Sequence, residues 1–384
     1  MQGIQRVRSA VGMSDINVPF LDLAQVYRAH KAVLDRAWQR VMERGWFVLG
    51  PEVEGFERQF ASAVQAPWCV GVANGTDAIE LGLRALGVGP GTEVVTTPLT
   101  AMPTLLGIAA TGATIRLADV SRRSGLVDPA AMAAAVGPNT VALVPVHLYG
   151  QTCDMDAILE IAATHGLRVL EDCAQAHLAT FAGRPAGSFG DLAAWSFYPT
   201  KNLGACGDAG AVTGSGEALR HAIRTLRNYG QRETYNHVLV GRNSRLDELQ
   251  AAILTALLPT LAQSTERRRC IAHYYRDELR GSVEVVSGAD DDGQRASCYH
   301  LFTVVSPDAD RERFRARLQA RGVGTLVHYP TPAHKQKAFA HLGYAPDSFP
   351  HSSFLADRVV SLPLHAHLSD REAEHVVHAV RGLT

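Results

Sequence analysis

Trp195-Ser196-Phe197-Tyr198-Pro199-Thr200-Lys201-Asn202-Leu203-Gly204-Ala205-Cys206-Gly207 is the stretch on which the reading of this chain turns. An aromatic run with the character of a buried strand breaks at Pro199 into a single lysine and then into glycines, which let a backbone pass close to another group. Lysine is strongly hydrated and normally sits on an exposed polar face. Between an aromatic strand and a glycine-rich turn, Lys201 has two readings. It forms a Schiff base with a carbonyl compound, or it snorkels out from the edge of the core.

Toward the N-terminus, Leu167-Arg168-Val169-Leu170-Glu171-Asp172-Cys173-Ala174-Gln175-Ala176-His177 is a buried strand ending in carboxylates. In a parallel α/β sheet the carboxyl ends of the strands line the ligand crevice, which places Asp172 to hold a cationic ring nitrogen. A lysine for an imine and an acid for a pyridinium nitrogen are the two protein groups a pyridoxal phosphate (PLP) site most needs. Gln175, three residues on, is positioned to reach the phenolic oxygen of such a ring. The plainer alternative is that Glu171-Asp172 caps a following helix. Further upstream, Val70-Gly71-Val72-Ala73-Asn74-Gly75-Thr76-Asp77 runs from a strand into a helix. Its N-terminus offers free N–H groups, a positive dipole end and a hydroxyl, so Gly75 and Thr76 are candidate phosphate ligands, with Ser196 as another.

The strings Asn74-Gly75-Thr76-Asp77-Ala78, Pro145-Val146-His147-Leu148-Tyr149-Gly150-Gln151, Glu171 to His177, Ser196 to Gly204, and Gly241-Arg242-Asn243-Ser244-Arg245-Leu246-Asp247 occur in this order. Together they resemble the DegT/DnrJ/StrS family of PLP-dependent sugar aminotransferases, within the fold type I (aspartate aminotransferase-like) superfamily, from about Val18 to the C-terminus. The resemblance implies an α/β fold with a large domain, built on a mostly parallel seven-stranded sheet sandwiched by helices, and a smaller C-terminal α+β domain. It also implies a homodimer with shared active sites, in which Asn243 reaches the cofactor phosphate of the other subunit. Read from the residues alone, Asn243 offers only a helix N-cap. By the same resemblance Trp46 lies near a sugar pocket, and His328 and Tyr329 hydrogen-bond a substrate at the domain cleft. Taken alone, Trp46 is equally a packing residue and His328 a loop residue. One departure stands out: relatives carry an aromatic residue after the threonine to stack on the pyridine ring, whereas Thr100 is followed here by Ala101, leaving Met102 or Leu99 for that face.

Composition limits the alternatives. A formal net charge of −1 gives no electrostatic footprint for nucleic acid. No apolar run approaches the roughly 20 residues that span a bilayer, and no signal-peptide pattern opens the chain, so a cytoplasmic location is expected. The cysteines (Cys69, Cys153, Cys173, Cys206, Cys270, Cys298) show neither a CxxC pair nor metal-ligand spacing. Reduced thiols and no metal are expected.

Three regions follow. Residues 1–16 are polar, basic and without period, and are expected to be a disordered tail. Residues 17–259 form the large PLP-binding domain, opening with a helix over Gln25 to Arg44 that stops at Gly45. Strands at Glu93 to Thr97, Ala113 to Asp119 and Val141 to Val146 alternate with helices. In the basic helix Glu217 to Tyr229, the spacing of Arg220, Arg224 and Arg227 predicts a solvated face rather than a diphosphate site. A further helix, Leu249 to Leu258, ends at Pro259. Residues 260–384 then change in texture and form the smaller domain, with a charged helix, a strand within Tyr299 to Val305, an amphipathic helix from Arg311 and a last helix from Ser369.

The function implied is transamination of a nucleotide-linked keto-deoxy sugar, dTDP- or GDP-linked and at C3 or C4, with L-glutamate as donor. Lys201 binds PLP and moves a proton between the donor α-carbon and the cofactor, while Asp172 keeps the pyridine nitrogen protonated. Arg232, His328 and Tyr329 could supply the polar groups a nucleotide diphosphate needs. The alternatives are a keto-cyclitol aminotransferase, a PLP/PMP-dependent sugar dehydratase, and a non-catalytic PLP-binding regulatory protein. Related dehydratases typically carry histidine where this chain has Lys201, and a regulator would show an added DNA-binding module or a lost lysine.

Overall fold

The computed structural model describes residues 16–290 and 293–384. The expected tail over 1–16, apart from its last residue, lies outside the described residues.

The strands β1 (Trp68–Val72), β2 (Glu93–Thr96), β3 (Thr114–Leu117), β4 (Thr140–Leu143), β5 (Arg168–Asp172), β6 (Leu192–Ser196) and β7 (Gly210–Gly214) form one seven-stranded sheet in the order β1-β7-β6-β5-β4-β2-β3. Six strands run the same way, and β7 alone runs against its neighbours β1 and β6. Alternation along the strands sorts their side chains between two layers. Trp195, with Phe197 just beyond the strand, joins Phe56 and Phe60 in the core on one face, whereas Ala194, Leu170 and Val70 join Ile79, Leu81 and Ile108 on the other. The helices α1 (Leu23–Arg44), α2 (Pro51–Ala63), α3 (Gly75–Ala85), α4 (Met102–Ala110), α5 (Pro129–Ala135), α6 (Met155–His165), α7 (Glu217–Leu226) and α8 (Glu248–Leu257) accompany this sheet. α1 ends where its sequence says it should: Gly45 takes φ 66°, a left-handed conformation that glycine adopts without steric cost, and its N–H closes on Val41 O.

Helix α9 (Leu261–Glu278) leads into the C-terminal part. There β8 (Glu284–Val285), β9 (Phe302–Val305) and β10 (Val359–Leu362) form an antiparallel sheet around a separate core of Tyr275, Phe302, Phe314 and Val376. Val18 belongs to this core and pairs in parallel with Val323. The last helix, α12 by virtue of α10 (Arg311–Gln319) and α11 (Pro350–Arg358) before it, spans Asp370–Arg381 and opens with a capping box between Ser369 and Glu372. Among the described residues no helix is long and apolar enough to cross a membrane.

Two sequence expectations need correction here. Arg227 does not share a solvated face: it is 4% exposed, and its guanidinium meets Glu57 at 2.6 Å and the carbonyl of Gly71 at 2.6 Å. As the C-cap of α7, Arg227 keeps helical angles (φ −65°, ψ −20°) with its N–H on Ile223 O, which puts it one turn on from buried Ile223 and beside buried Leu226, on the inward face. Nor does Asn243 cap a helix, since the N-cap of α8 is Asp247.

Candidate active site

The carboxyl ends of β1, β2, β4, β5 and β6 all lie on one edge of the sheet, and the chemistry-bearing residues follow from those ends. β5 delivers two consecutive carboxylates to opposite faces. Asp172, 4% exposed, accepts the Thr104 hydroxyl on Oδ2 at 2.8 Å and the Ala174 N–H on Oδ1 at 3.1 Å. Thr104 is in turn paired with Thr100 at 2.8 Å, so the segment after β2 supports Asp172 through hydroxyls. The Ala174 contact is a short turn; no helix follows for Asp172 to cap.

Glu171 faces the other way and is fully buried. Its Oε1 accepts the N–H groups of Phe189 at 2.8 Å and Gly190 at 2.7 Å, and its Oε2 accepts Gly187 N–H at 2.8 Å and lies 2.9 Å from His147 Nε2. His147 Nδ1 accepts the Cys153 N–H at 3.0 Å, so Nε2 carries the proton and donates it to Glu171. Burial pushes Glu171 up, but the His147 donation and the N–H groups of Gly190 and Gly187 outweigh it and hold the carboxyl below its ordinary range. His147, Glu171 and Cys173 place potential ligand atoms within 4.8 Å of one another. The Glu171 oxygens are taken by four donors, so the cluster is a closed hydrogen-bonded anchor. Sequence reasoning gave Glu171 no task beyond a cap. The signal for one was the alternation of β5: if Asp172 faces the crevice, Glu171 points into the core and must be fully satisfied there.

Lys201 follows β6 by a short loop whose N–H at Lys201 closes on Tyr198 O at 2.8 Å. Burial pushes its amine from 10.5 down to about 8, with Asp172 partly offsetting the effect. The loop is tied to the C-terminal part by Asn202, which donates to Cys298 O at 3.2 Å and meets His300 Nδ1 at 3.2 Å. Beside it, Gln175 accepts Tyr149 N–H at 2.7 Å and donates to Tyr329 Oη at 2.9 Å. His328 is anchored through Nδ1 to Ser361 Oγ at 2.9 Å, and burial together with the Lys201 charge pushes it down to about 4. Burial also raises the Tyr329 hydroxyl. Thus Asp172, Gln175, Lys201, His328 and Tyr329 converge.

The expected phosphate ligands also meet. A Cβ added at Gly75 would lie 2.7 Å from Ser196 Cβ, so the start of α3 abuts the end of β6. Asn74 caps α3 through the Asp77 N–H at 2.8 Å, leaving the Gly75 and Thr76 N–H groups at the helix mouth without a cap. Two free N–H groups at the start of α3, a buried carboxylate with no basic ion pair among the described residues and a lysine held beside it fit a phosphorylated pyridine aldehyde. Of the remaining expected residues, Trp46 is 54% exposed with its indole N–H on Val48 O, and Asn243 is exposed and pairs by backbone with Asn228. Arg232 sits in the exposed Gln231–Glu233 strand, lining a surface cavity of about 930 Å³ with His221 and Arg224. No contact within the single chain joins these three to Lys201 among the described residues. Leu99 is fully buried in the core.

A mostly parallel α/β sheet carrying a lysine and a carboxylate on its carboxyl edge, beside a helix N-terminus, defines a transferase of the aspartate aminotransferase architecture. More narrowly, the chain belongs to the DegT/DnrJ/EryC1/StrS aminotransferase family, whose model matches residues 30–381. It is 43% identical over 367 residues, 95% of either chain, to the dTDP-3-amino-3,4,6-trideoxy-alpha-D-glucose transaminase of Streptomyces venezuelae. Among solved structures it superposes on S. venezuelae DesV in complex with a ketimine intermediate, with TM-score 0.91 at 42% identity over 96% of this chain and 98% of that one. It also resembles NtdA from Bacillus subtilis with bound cofactor PMP, with TM-score 0.87 at 28% identity over 98% of this chain and 90% of that one.

Proposed function

We propose that this chain is a PLP-dependent aminotransferase that converts a nucleotide-linked 3-keto-deoxy sugar into the 3-amino sugar, with L-glutamate as amino donor. The observation that carries it is Lys201, a half-buried amine lowered to about 8, held beside the buried carboxylate of Asp172. Position C3 and a dTDP or UDP carrier follow the 3-amino product in the name of the S. venezuelae relative and the nucleotide-sugar names of others at about 38–39% identity. PLP, when bound, supplies the carbonyl for amine exchange and a ring that takes up carbanion charge. Lys201 would hold the cofactor through its side-chain amine and, when released by the incoming amine, would carry a proton between the substrate carbon and the cofactor. Being half neutral near pH 8 suits it to both duties. Asp172, oriented by Thr104, holds the pyridine nitrogen in its protonated form. Gly75, Thr76 and Ser196 bind the phosphate, and Gln175, fixed by Tyr149 and Tyr329, faces the ring.

The active unit is a homodimer, in which Asn243, Trp46 and Arg232, all peripheral in one chain, act across the interface. We take 17–259 as the cofactor-binding domain and 260–384 as the smaller one, with Val18 tying the first segment to the second.

Borohydride reduction of the PLP-loaded protein followed by peptide mapping tests the lysine: label at Lys201 is expected, and label at Lys335 instead would refute it. For the acceptor, PMP-loaded enzyme is offered 3-keto and 4-keto nucleotide sugars and scyllo-inosose. Turnover with the cyclitol alone would overturn the nucleotide-sugar reading.

A further inference from the structure

Arg268, on α9, is 7% exposed, and no carboxylate among the described residues lies within ion-pair distance of it. Its Nη1 donates to the carbonyls of Tyr299 (3.3 Å), His300 (3.3 Å) and Leu364 (2.9 Å), whereas Nε and Nη2 have no protein acceptor. Burial pushes this guanidinium down to about 10, so it remains charged at neutral pH. A buried cation with spare donors and no counter-ion is costly. The same residue lines a partly open cavity of about 70 Å³ at the Lys201 loop, together with Lys201, Asn202, Ser264, His365 and His367. His365 is 5% exposed and its Nε2 is likewise buried without a partner. The buried, unpartnered Nε2 of His365 and the spare, accessible donors of Arg268 therefore meet at one cavity.

We propose that this cavity is a small-anion site, in which Arg268 and His365 hold one monovalent anion of the carboxylate or halide class at the Lys201 loop. A cavity of 70 Å³ is several times the ~10–15 Å³ needed for one water, so it has room for a halide or a carboxylate group. The spare guanidinium N–H groups give the charge-assisted hydrogen bonds that such an anion seeks. Burial and the Arg268 charge push His365 down to about 4, so it stays neutral and can offer a single N–H. The one carboxylate lining the cavity, Asp22, is occupied by Arg28 at 2.7 Å and by the Gln25 N–H at 3.1 Å. The anion can be inorganic or the carboxylate of an amino acid.

The test uses the holoenzyme in sodium HEPES, a bulky sulfonate that carries no carboxylate, with bromide, acetate or L-glutamate titrated in at constant ionic strength. A saturable rise in Tm with bromide and acetate is expected, with an anomalous bromine peak against the Arg268 guanidinium in bromide-soaked crystals. Ser264→Leu, which fills the void and leaves the carbonyl contacts of Arg268 intact, and His365→Leu, which removes the second donor, should each weaken the apparent affinity at least tenfold. Displacement of bromide by L-glutamate would identify the source as an amino-acid carboxylate, and independent binding would identify it as an inorganic ion; either outcome supports the site. A response no different from HEPES alone, or a bromine peak in the crystal without a saturable response in solution, would overturn it.

Discussion

Glu171→Gln is the substitution whose cost the structure defines most closely. Each carboxylate oxygen serves two donors: Oε1 takes Phe189 and Gly190, and Oε2 takes Gly187 and His147. Replacing either oxygen by an amide NH2 confronts two N–H donors with a third. His147 cannot relieve the conflict by changing tautomer, because its Nδ1 already accepts the Cys153 N–H at 3.0 Å. Two hydrogen bonds to a charged group are lost, at roughly 1.5–3 kcal/mol each, for about 3–6 kcal/mol in all. The neutral amide is easier to bury than the carboxylate, which brings the expected loss to about 3 kcal/mol. In a chain this long that corresponds to a fall in Tm of roughly 3–6 °C.

The same substitution carries a pH signature. The folded state holds Glu171 below its unfolded range, so its stabilisation is fully present above the unfolded pKa and is lost as pH falls through the folded value. Wild-type protein should therefore lose stability more steeply than Glu171→Gln as pH drops below about 4.5, by up to about one proton in the slope. Calorimetry of both proteins across that range measures the two effects together. An unchanged Tm at pH 7, or parallel acid slopes, would refute the view that Glu171 is an anchored carboxylate.

Three further outcomes follow from named contacts. Thr104→Val removes the hydroxyl on Asp172 Oδ2 at constant shape, and the loss of roughly 1.5–3 kcal/mol should raise the Kd for PLP about tenfold or more; Thr104→Ser should restore it, and an unchanged Kd in a fluorescence titration of apoenzyme would contradict the role. Competitive acylation of apoenzyme should give Lys201 a midpoint near 8, and since its folded value is the lower one, the apoprotein should gain stability as pH rises from 8 toward 10.5; a midpoint at 10.5 would refute the placement. Arg227→Leu strands the buried Glu57 carboxylate and should cost about 3–5 kcal/mol in denaturant unfolding, while the same change at exposed Arg224 should cost almost nothing; equal effects would restore the solvated-face reading.

The residues proposed to do the chemistry were legible because their signals are local. Lys201 sits where a strand meets glycines, and Asp172 where a strand ends, so a few neighbours suffice to single each out. What holds them is not local. Glu171 is satisfied by a turn at 187–190 and by His147, Asp172 by Thr104, and the Lys201 loop by Cys298 and His300, nearly a hundred residues away. Arg227 was misread for the same reason, because its partner Glu57 lies 170 positions upstream and helical spacing speaks only of the nearest turns. The strand pairing shows why the distant anchors bear on function. Glu171 lies opposite Ala193 and Asp172 opposite Ala194, so the turn that Glu171 grips fixes the register of β6 on β5. Lys201 follows from the end of β6. A slip of one residue would exchange the two faces of that strand, carrying Ser196 away from the start of α3 and the lysine away from Asp172 while leaving every motif intact. Motif retention alone is therefore a poor guide to activity among relatives of this chain. Of two sequences with the same lysine and aspartate, the one lacking a buried acceptor at Glu171 should lose the cofactor first.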